Sequence, residues 1–223
     1  MRVLAFDTST EYLSLALLLD DRVIAREHHA VQQHSQLLLP YLHDLLSEAD
    51  ISLRQLDGIA FGAGPGAFTG LRIACAVAQG LAFGADLPVA GISTLLALAE
   101  QSGHEQVVSC LDARMGEVYH AAYRREDAAW REVHAPGLYS PQDIPLMVGA
   151  GWVGVGSGFA VCGAALQMRL GASLSTVQAE LMPHAREIAQ LAAIEFTQGR
   201  GLPAWDAAPV YIRDKVALKT SER

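Results

Sequence analysis

Four stretches of this chain carry residue types that can do chemistry. Asp7-Thr8-Ser9-Thr10 ends one apolar run and precedes another. Hydroxyls and turn amides at a strand end can hold a phosphate, and a neighbouring aspartate can hold magnesium through water. The same four residues also suit a hairpin turn closed by its own side chains, so both readings stand. Gly62-Ala63-Gly64-Pro65-Gly66-Ala67-Phe68-Thr69-Gly70-Leu71-Arg72 follows a short apolar run and opens a helical pattern. Free amides at a helix start favour anions. No Gly-Lys-Ser/Thr follows, so this is no P-loop, and glycines placed for tight packing explain it as well. Asp112-Ala113-Arg114-Met115-Gly116-Glu117-Val118-Tyr119 is a polar turn between apolar runs, suited to a salt-bridged turn or a contact site. Gly154, Gly156 and Gly158 repeat the strand–glycine–helix pattern further on.

Other chemistries find little support. The eight histidines show no i, i+4 pair on a helix, and Cys75, Cys110 and Cys162 fit no zinc spacing. Three unpaired cysteines in apolar contexts read as buried packing in a reducing compartment. No Gly-x-Ser-x-Gly elbow marks a serine hydrolase.

The elements that must position these stretches follow from periodicity and punctuation. Val3–Asp7, Leu13–Leu19 and Val23–His28 read as strands, with Asp20-Asp21 turning the second into the third. A helix is predicted from Ser35, as its cap, to Ala49, with Leu38, Leu42 and Leu45 on one stripe and Pro40 in its first turn or at a kink. Then come a strand at Gly58–Phe61, a helix at Ala67–Gly84, a strand at Val89–Gly91 and a helix capped by Ser93. The order is βββαβαβα. After a polar break at Gly103–Gln106 it repeats. Strands are predicted at Val107–Leu111, Val118–Arg124 and Trp130–Ala135, and a short helix at Pro141–Val148. A strand at Trp152–Val155, a helix at Phe159–Leu170, a weak strand at Thr176–Gln178 and a helix at His184–Gln198 complete the second set. Alternating strands and helices predict an α/β architecture of two similar lobes, 1–103 and 104–223, with the tail from Leu202 wrapping back.

The helix over Ala67–Gly84 is unusual. Gly70, Ala74, Ala78 and Ala82 recur every fourth residue, as do Ala76, Gly80 and Gly84, and only Arg72 and Gln79 are distinctly polar. A helix apolar all round is covered on more than one side. Its own sheet or a partner can supply that cover.

Composition sets outer limits. The 223 residues include 51% hydrophobic and 18% charged, with 16 Lys+Arg against 24 Asp+Glu and a net charge of −8. Typical chains are about 25% charged, so apolar surface is left over. The acidic balance argues against nucleic-acid binding by this chain alone. Only Arg213, Lys215 and Lys219 form a weak basic run. Asp7 and Glu11 interrupt any signal-peptide pattern. The uncharged run Ile144–Met168 is too rich in glycine for a membrane span, so a soluble, cytoplasmic protein is expected.

Several motifs coincide in one family. Asp7-Thr8-Ser9-Thr10, His34-Ser35-Gln36 before Leu38-Leu39-Pro40, Gly64–Arg72, Asp112–Tyr119 and Pro209-Val210-Tyr211-Ile212-Arg213 follow one another at the spacing of the bacterial TsaB family, also called YeaZ, which the chain resembles over nearly its whole length. The resemblance implies an actin-like ATPase (ASKHA) fold with two βββαβαβα lobes, the second shortened. It also implies a non-catalytic partner of the paralogue TsaD and of the ATPase TsaE. That assembly transfers a threonylcarbamoyl group to an adenosine beside the tRNA anticodon. tRNA is then met through the complex, and the chain alone is a homodimer on the same surface. In the catalytic paralogue a His-x-x-x-His metal pair follows the alanine-rich helix and a strand. Thr94 and Leu98 stand there in this chain, and neither replaces an imidazole at a metal. The resemblance places the partner contacts on the first two long helices, with Leu38, Leu42, Leu45, Ile73, Val77 and Leu81 as the expected contact residues. Asp7, Ser9 and Thr10 are the candidate nucleotide-binding residues, for weak or interfacial ATP or ADP, and no other cofactor is expected. The competing readings are an ATP-dependent phosphotransferase of the same fold and a metallopeptidase.

Overall fold

The computed structural model describes residues 1–127 and 129–213. Lys215 and Lys219 of the weak basic run lie outside them. The first half runs β1 (Arg2–Asp7), β2 (Tyr12–Leu19), β3 (Arg22–His29), α1 (His34–Glu48), β4 (Gly58–Gly64), α2 (Phe68–Ala85), β5 (Val89–Ser93) and α3 (Thr94–Ser102). The second runs β6 (Gln106–Asp112), β7 (Val118–Glu126), β8 (Ala129–Tyr139), β9 (Trp152–Val155), α4 (Ser157–Leu170), β10 (Leu174–Gln178) and α5 (Ala185–Thr197). Each half builds a five-stranded sheet. The orders, β3-β2-β1-β4-β5 and β8-β7-β6-β9-β10, are the same topology used twice. In each, two hairpin-linked antiparallel pairs lead into two parallel pairs, reached through α1 and α2 in the first sheet and through a run of turns and then α4 in the second.

The alternation of side chains along β1 shows what the first sheet separates. Leu4 and Phe6 join Leu38, Leu42, Leu45, Ala74 and Ala78 of α1 and α2 on one face. Val3 and Ala5 join Ile188, Ala189 and Ala192 of α5 on the other, where Ala16, Ala60 and Ala90 let that helix lie close. A strand buried on both faces reads as a continuous apolar run. In the second sheet Val107, Leu111, Val153 and Val155 face α3, and Val108, Cys110 and Trp152 share the opposite face with α4 residues Phe159, Leu166 and Leu170. The layers are therefore α1 and α2, first sheet, α3 and α5, second sheet, α4.

Three sequence expectations change. The helix expected over Pro141–Val148 is a series of turns. Pro145 interrupts it, Gly149 and Gly151 turn the chain at φ of +84° and +90°, and Ile144 and Met147 anchor the segment in the core. The second half is thus one helix short. Ser35 does not cap α1. Gln33 precedes the first helical residue, no side chain caps it, and Pro40 lies inside the helix. Finally, α5 packs on the first sheet rather than the second, so the expected 104–223 lobe returns to its neighbour for its last helix. Ser93 does cap α3, accepting from the Leu96 amide at 3.4 Å. α2 is long and apolar enough to cross a membrane by length and composition. Here it lies along β4 with Leu71, Ala74, Cys75, Ala78 and Ala82 buried.

Candidate functional site

A cleft of about 940 Å³ opens where the two sheets end. It is lined by residues 8–11 after β1, 65–71 at the start of α2, 111–115 after β6 and 210–213 of the tail, with Ser157 at the start of α4. Motifs far apart in sequence meet because equivalent strands β1 and β6 end on the same side.

The Asp7 turn is spent on its own architecture. Asp7 is fully buried and is not among the cleft residues. Its Oδ1 accepts from the Ser9 amide at 2.9 Å and the Ser9 hydroxyl at 2.7 Å. Its Oδ2 has no hydrogen-bond partner among the described residues and lies against the Gly62 backbone, where any Cβ would overlap it. Burial raises the carboxyl to about 6, although both bonds from Ser9 pull the other way. The Thr8 hydroxyl donates to the Gly70 carbonyl at 2.7 Å, and the Thr10 hydroxyl accepts from the Tyr12 amide at 3.1 Å. Of the three candidate nucleotide residues, Ser9 and Thr10 reach the cleft and Asp7 lies beneath it.

The glycine loop has a packing reason. A Cβ on Gly70 would overlap the Thr8 carbonyl oxygen, and one on Gly66 would sit 2.6 Å from the Ser9 Cβ. The space these glycines leave is filled by the Asp7 turn. The second glycine turn behaves alike. Gly156, at φ +97°, lies under the Cys110 carbonyl, and Gly154 lies under the Phe159 ring.

The Asp112 turn is tightly wound. Arg114 and Met115 both take left-handed backbone, at φ +63° and +57°, which costs non-glycine residues roughly 1 kcal/mol or more each. Asp112 holds them there. Its Oδ1 accepts from the Arg114 amide at 2.8 Å and its Oδ2 pairs with the Arg114 guanidinium at 3.1 Å.

The positions of the paralogue's metal pair are occupied otherwise. Thr94 is buried and its hydroxyl donates to the Pro65 carbonyl at 2.6 Å. Leu98 is buried in the core between α3 and the second sheet. Among the described residues no three His, Cys, Asp or Glu side chains stand together as a metal would require.

The expected partner contacts divide. Leu38, Leu42 and Leu45 face inward and are buried against the first sheet, so they cannot touch a partner. The strongest apolar stripe of α1 is taken by the protein's own core. Ile73, Val77 and Leu81 are half-buried along the edge of α2. The outward face of α2 carries Ala76, Gly80, Phe83 and Gly84, with Phe83 75% exposed and no described residue within 4 Å above either glycine. Leu39 of α1 is exposed as well. Sequence periodicity located the helices and missed this face, although the small-residue spacing of α2 pointed to it.

One network had no sequence signal. The Ser14 hydroxyl meets His184 Nδ1 at 3.2 Å and accepts from the Ala185 amide at 2.9 Å, and His184 Nε2 pairs with Glu27 at 2.9 Å. Ser14 is fully buried, so this Ser-His-Glu set fastens the start of α5 to β2 and β3 and exposes no nucleophile.

Two five-stranded sheets of one topology, stacked about shared helices with a cleft at their strand ends, define an actin-like two-lobed α/β protein. The family model of TsaD, tRNA N6-adenosine threonylcarbamoyltransferase, matches residues 27–152. The chain is 37% identical to the tRNA threonylcarbamoyladenosine biosynthesis protein TsaB of Escherichia coli K12, over 98% of this chain and 97% of that one. It is 36% identical to TsaB of Haemophilus influenzae, over 98% and 96%. The chain belongs to the TsaB family. YeaZ from Pseudomonas aeruginosa superposes with a TM-score of 0.85 at 39% identity, covering 94% of this chain and 99% of that one. A second Pseudomonas aeruginosa structure, described as similar to peptidase YEAZ, gives 0.88 at 38% identity, covering 95% and 99%.

Proposed function

We propose that this chain is a non-catalytic subunit that binds TsaD, with TsaE, for threonylcarbamoyl transfer to adenosine beside the tRNA anticodon, in the cytoplasm. It meets tRNA only through that complex and needs no cofactor of its own. The observation that carries the reading is the outward face of α2. Among the described residues nothing lies within 4 Å above Gly80 and Gly84, and Phe83 is exposed beside them. A helix face of small and apolar residues with open space allows a second helix to pack close. Leu39 of α1 extends the surface. The same face is self-complementary, so the chain alone forms a homodimer through it. The metal-pair positions support the absence of chemistry, because Thr94 already donates to Pro65 and Leu98 has no donor atom.

Light scattering on chromatographed samples tests this. The chain alone should run as a dimer, and mixing with TsaD from the same organism should convert it to a mixed complex. No mixed complex with folded TsaD would remove the reading. The phosphotransferase reading has the cleft in its favour. It needs phosphates near the first glycine loop, where Ser9 and Thr8 already fill the space of Gly66 and Gly70. Titration calorimetry with Mg-ATP separates the two, and saturable binding with turnover lost in Asp7→Ala would favour the enzyme.

A further inference from the structure

The tail runs across the cleft and is fixed on both sides of it. On the first-lobe side the Ala207 carbonyl accepts from Gln79 Nε2 at 2.9 Å, and the Val210 amide donates to the Ala63 carbonyl at the end of β4 at 2.7 Å. Gly64, at φ +118°, makes room for this, since a Cβ there would lie 2.8 Å from the Val210 carbonyl. Arg72 of α2 donates from Nε to the Tyr211 hydroxyl at 2.9 Å, and its guanidinium lies 3.8 Å from the Phe68 ring centre. On the second-lobe side, Ile212 packs against the core between α3 and the second sheet. Arg213 Nη2 donates to the Ala113 carbonyl at 3.0 Å and pairs with Glu117 at 2.7 Å.

The geometry points to residues 207–213 as a strap that sets how far the cleft opens. Its first-lobe anchor at Val210 and its second-lobe latch at Arg213 are three virtual bonds apart, about 11 Å fully extended. While both ends hold, the end of β4 and the Asp112 turn cannot separate beyond that reach plus the length of the Arg213 side chain and the hydrogen bonds at its two ends. α3 and α5, the other links between the sheets, contribute no residue to the cleft wall, whereas residues 210–213 all line it. Arg213 and Glu117 are partly shielded, with side chains 15% and 34% exposed, so their pairing is less screened than a surface ion pair.

Spin labels on Glu11→Cys and Ala160→Cys, exposed on opposite sides of the cleft, read its width in a Cys162→Ala background. With the strap intact a single narrow distance is expected. Arg213→Glu should shift the distribution to longer, broader distances, and adding Glu117→Arg should bring it back. Amide exchange over residues 112–118 should quicken about tenfold in Arg213→Glu and recover in the double variant, as loss of a charged hydrogen bond implies. If Arg213→Glu fails to fold, by circular dichroism, Glu117→Ala removes the other half of the latch pair and should widen the same distance. An unchanged distance distribution in the folded variant, or faster exchange confined to residues 208–213, would overturn the strap.

Discussion

Asp7 is ionised only against its surroundings. Its carboxyl is raised to about 6 in the fold from 3.8, so the unfolded chain loses that proton first as pH rises. Its stabilising contribution is complete below 3.8 and disappears as pH climbs through 6, a loss of about 3 kcal/mol at about 1.4 kcal/mol per pH unit. Asp7→Asn keeps an acceptor for Ser9 and removes the charge. Urea unfolding should show the wild type falling relative to Asp7→Asn between pH 4 and 7, and a constant difference would contradict this account. His120 acts with the opposite sign. It is fully buried on β7, its Nε2 has no partner among the described residues, and burial with the nearby His134 pushes it down to about 3. Above pH 6.5 it is neutral folded or unfolded and contributes nothing. Below that the unfolded chain takes up a proton that the fold refuses, which costs about 1.4 kcal/mol for each further pH unit until about 3. His120→Phe should therefore lose less stability than the wild type between pH 7 and 4.5, read from urea midpoints at the two values.

At the scale of elements, glycines divide into those that must be glycine and those that are free. Gly70 lies on the Thr8 carbonyl, so any Cβ forces the Asp7 turn away from α2. Gly70→Ala should destabilise by about 1–3 kcal/mol through overpacking, measured by thermal unfolding. Gly80 sits on the same helix, and no described residue lies within 4 Å of a Cβ there. Gly80→Arg removes a poor helix former from an exposed turn and should leave the monomer as stable or up to about 1 kcal/mol more so. The bulky side chain should nonetheless block close helix packing and abolish both dimer and mixed complex in light scattering. Unimpaired association would move the docking surface away from α2. The inward stripe of Leu38, Leu42 and Leu45 gives the contrast, because those residues are buried in the protein's own core.

At the scale of the whole molecule, α3 and α5 make one body of two sheets. Leu95 and Leu98 of α3 share a core with the second sheet while Ala97 shares one with the first, and the Ser109 hydroxyl of β6 donates to the Leu95 carbonyl at 2.8 Å. α5 arrives from the second sheet and is fastened to the first by Ser14 and His184. Calorimetry should show a single cooperative transition, and Leu98→Ala should lower it by about 2–5 kcal/mol as a buried cavity does. Two separate transitions would mean that the shared helices do not couple the sheets.

Much of this was legible in the residues. The repeated βββ start, the two glycine turns and the capped α3 follow from apolar periodicity and from where Gly, Pro, Ser and Asp fall, which are short-range properties of a chain. The motifs that meet in the cleft were visible as motifs, since their residue types are restricted by turn geometry and close approach. Three things were decided only by the tertiary structure. Leu38, Leu42 and Leu45 turned inward, because the most apolar stripe is covered first by the largest apolar surface available, the protein's own sheet. Asp7 went under the cleft rather than into it, because Gly62 leaves room for its carboxylate and Ser9 supplies both donors. The Ser14–His184 contact joins residues 170 apart, and the tail strap ties Arg213 to Ala113 across 100. Local sequence fixes which elements form. Which of their faces meet depends on the surface that every other element leaves uncovered, and that is a property of the folded whole.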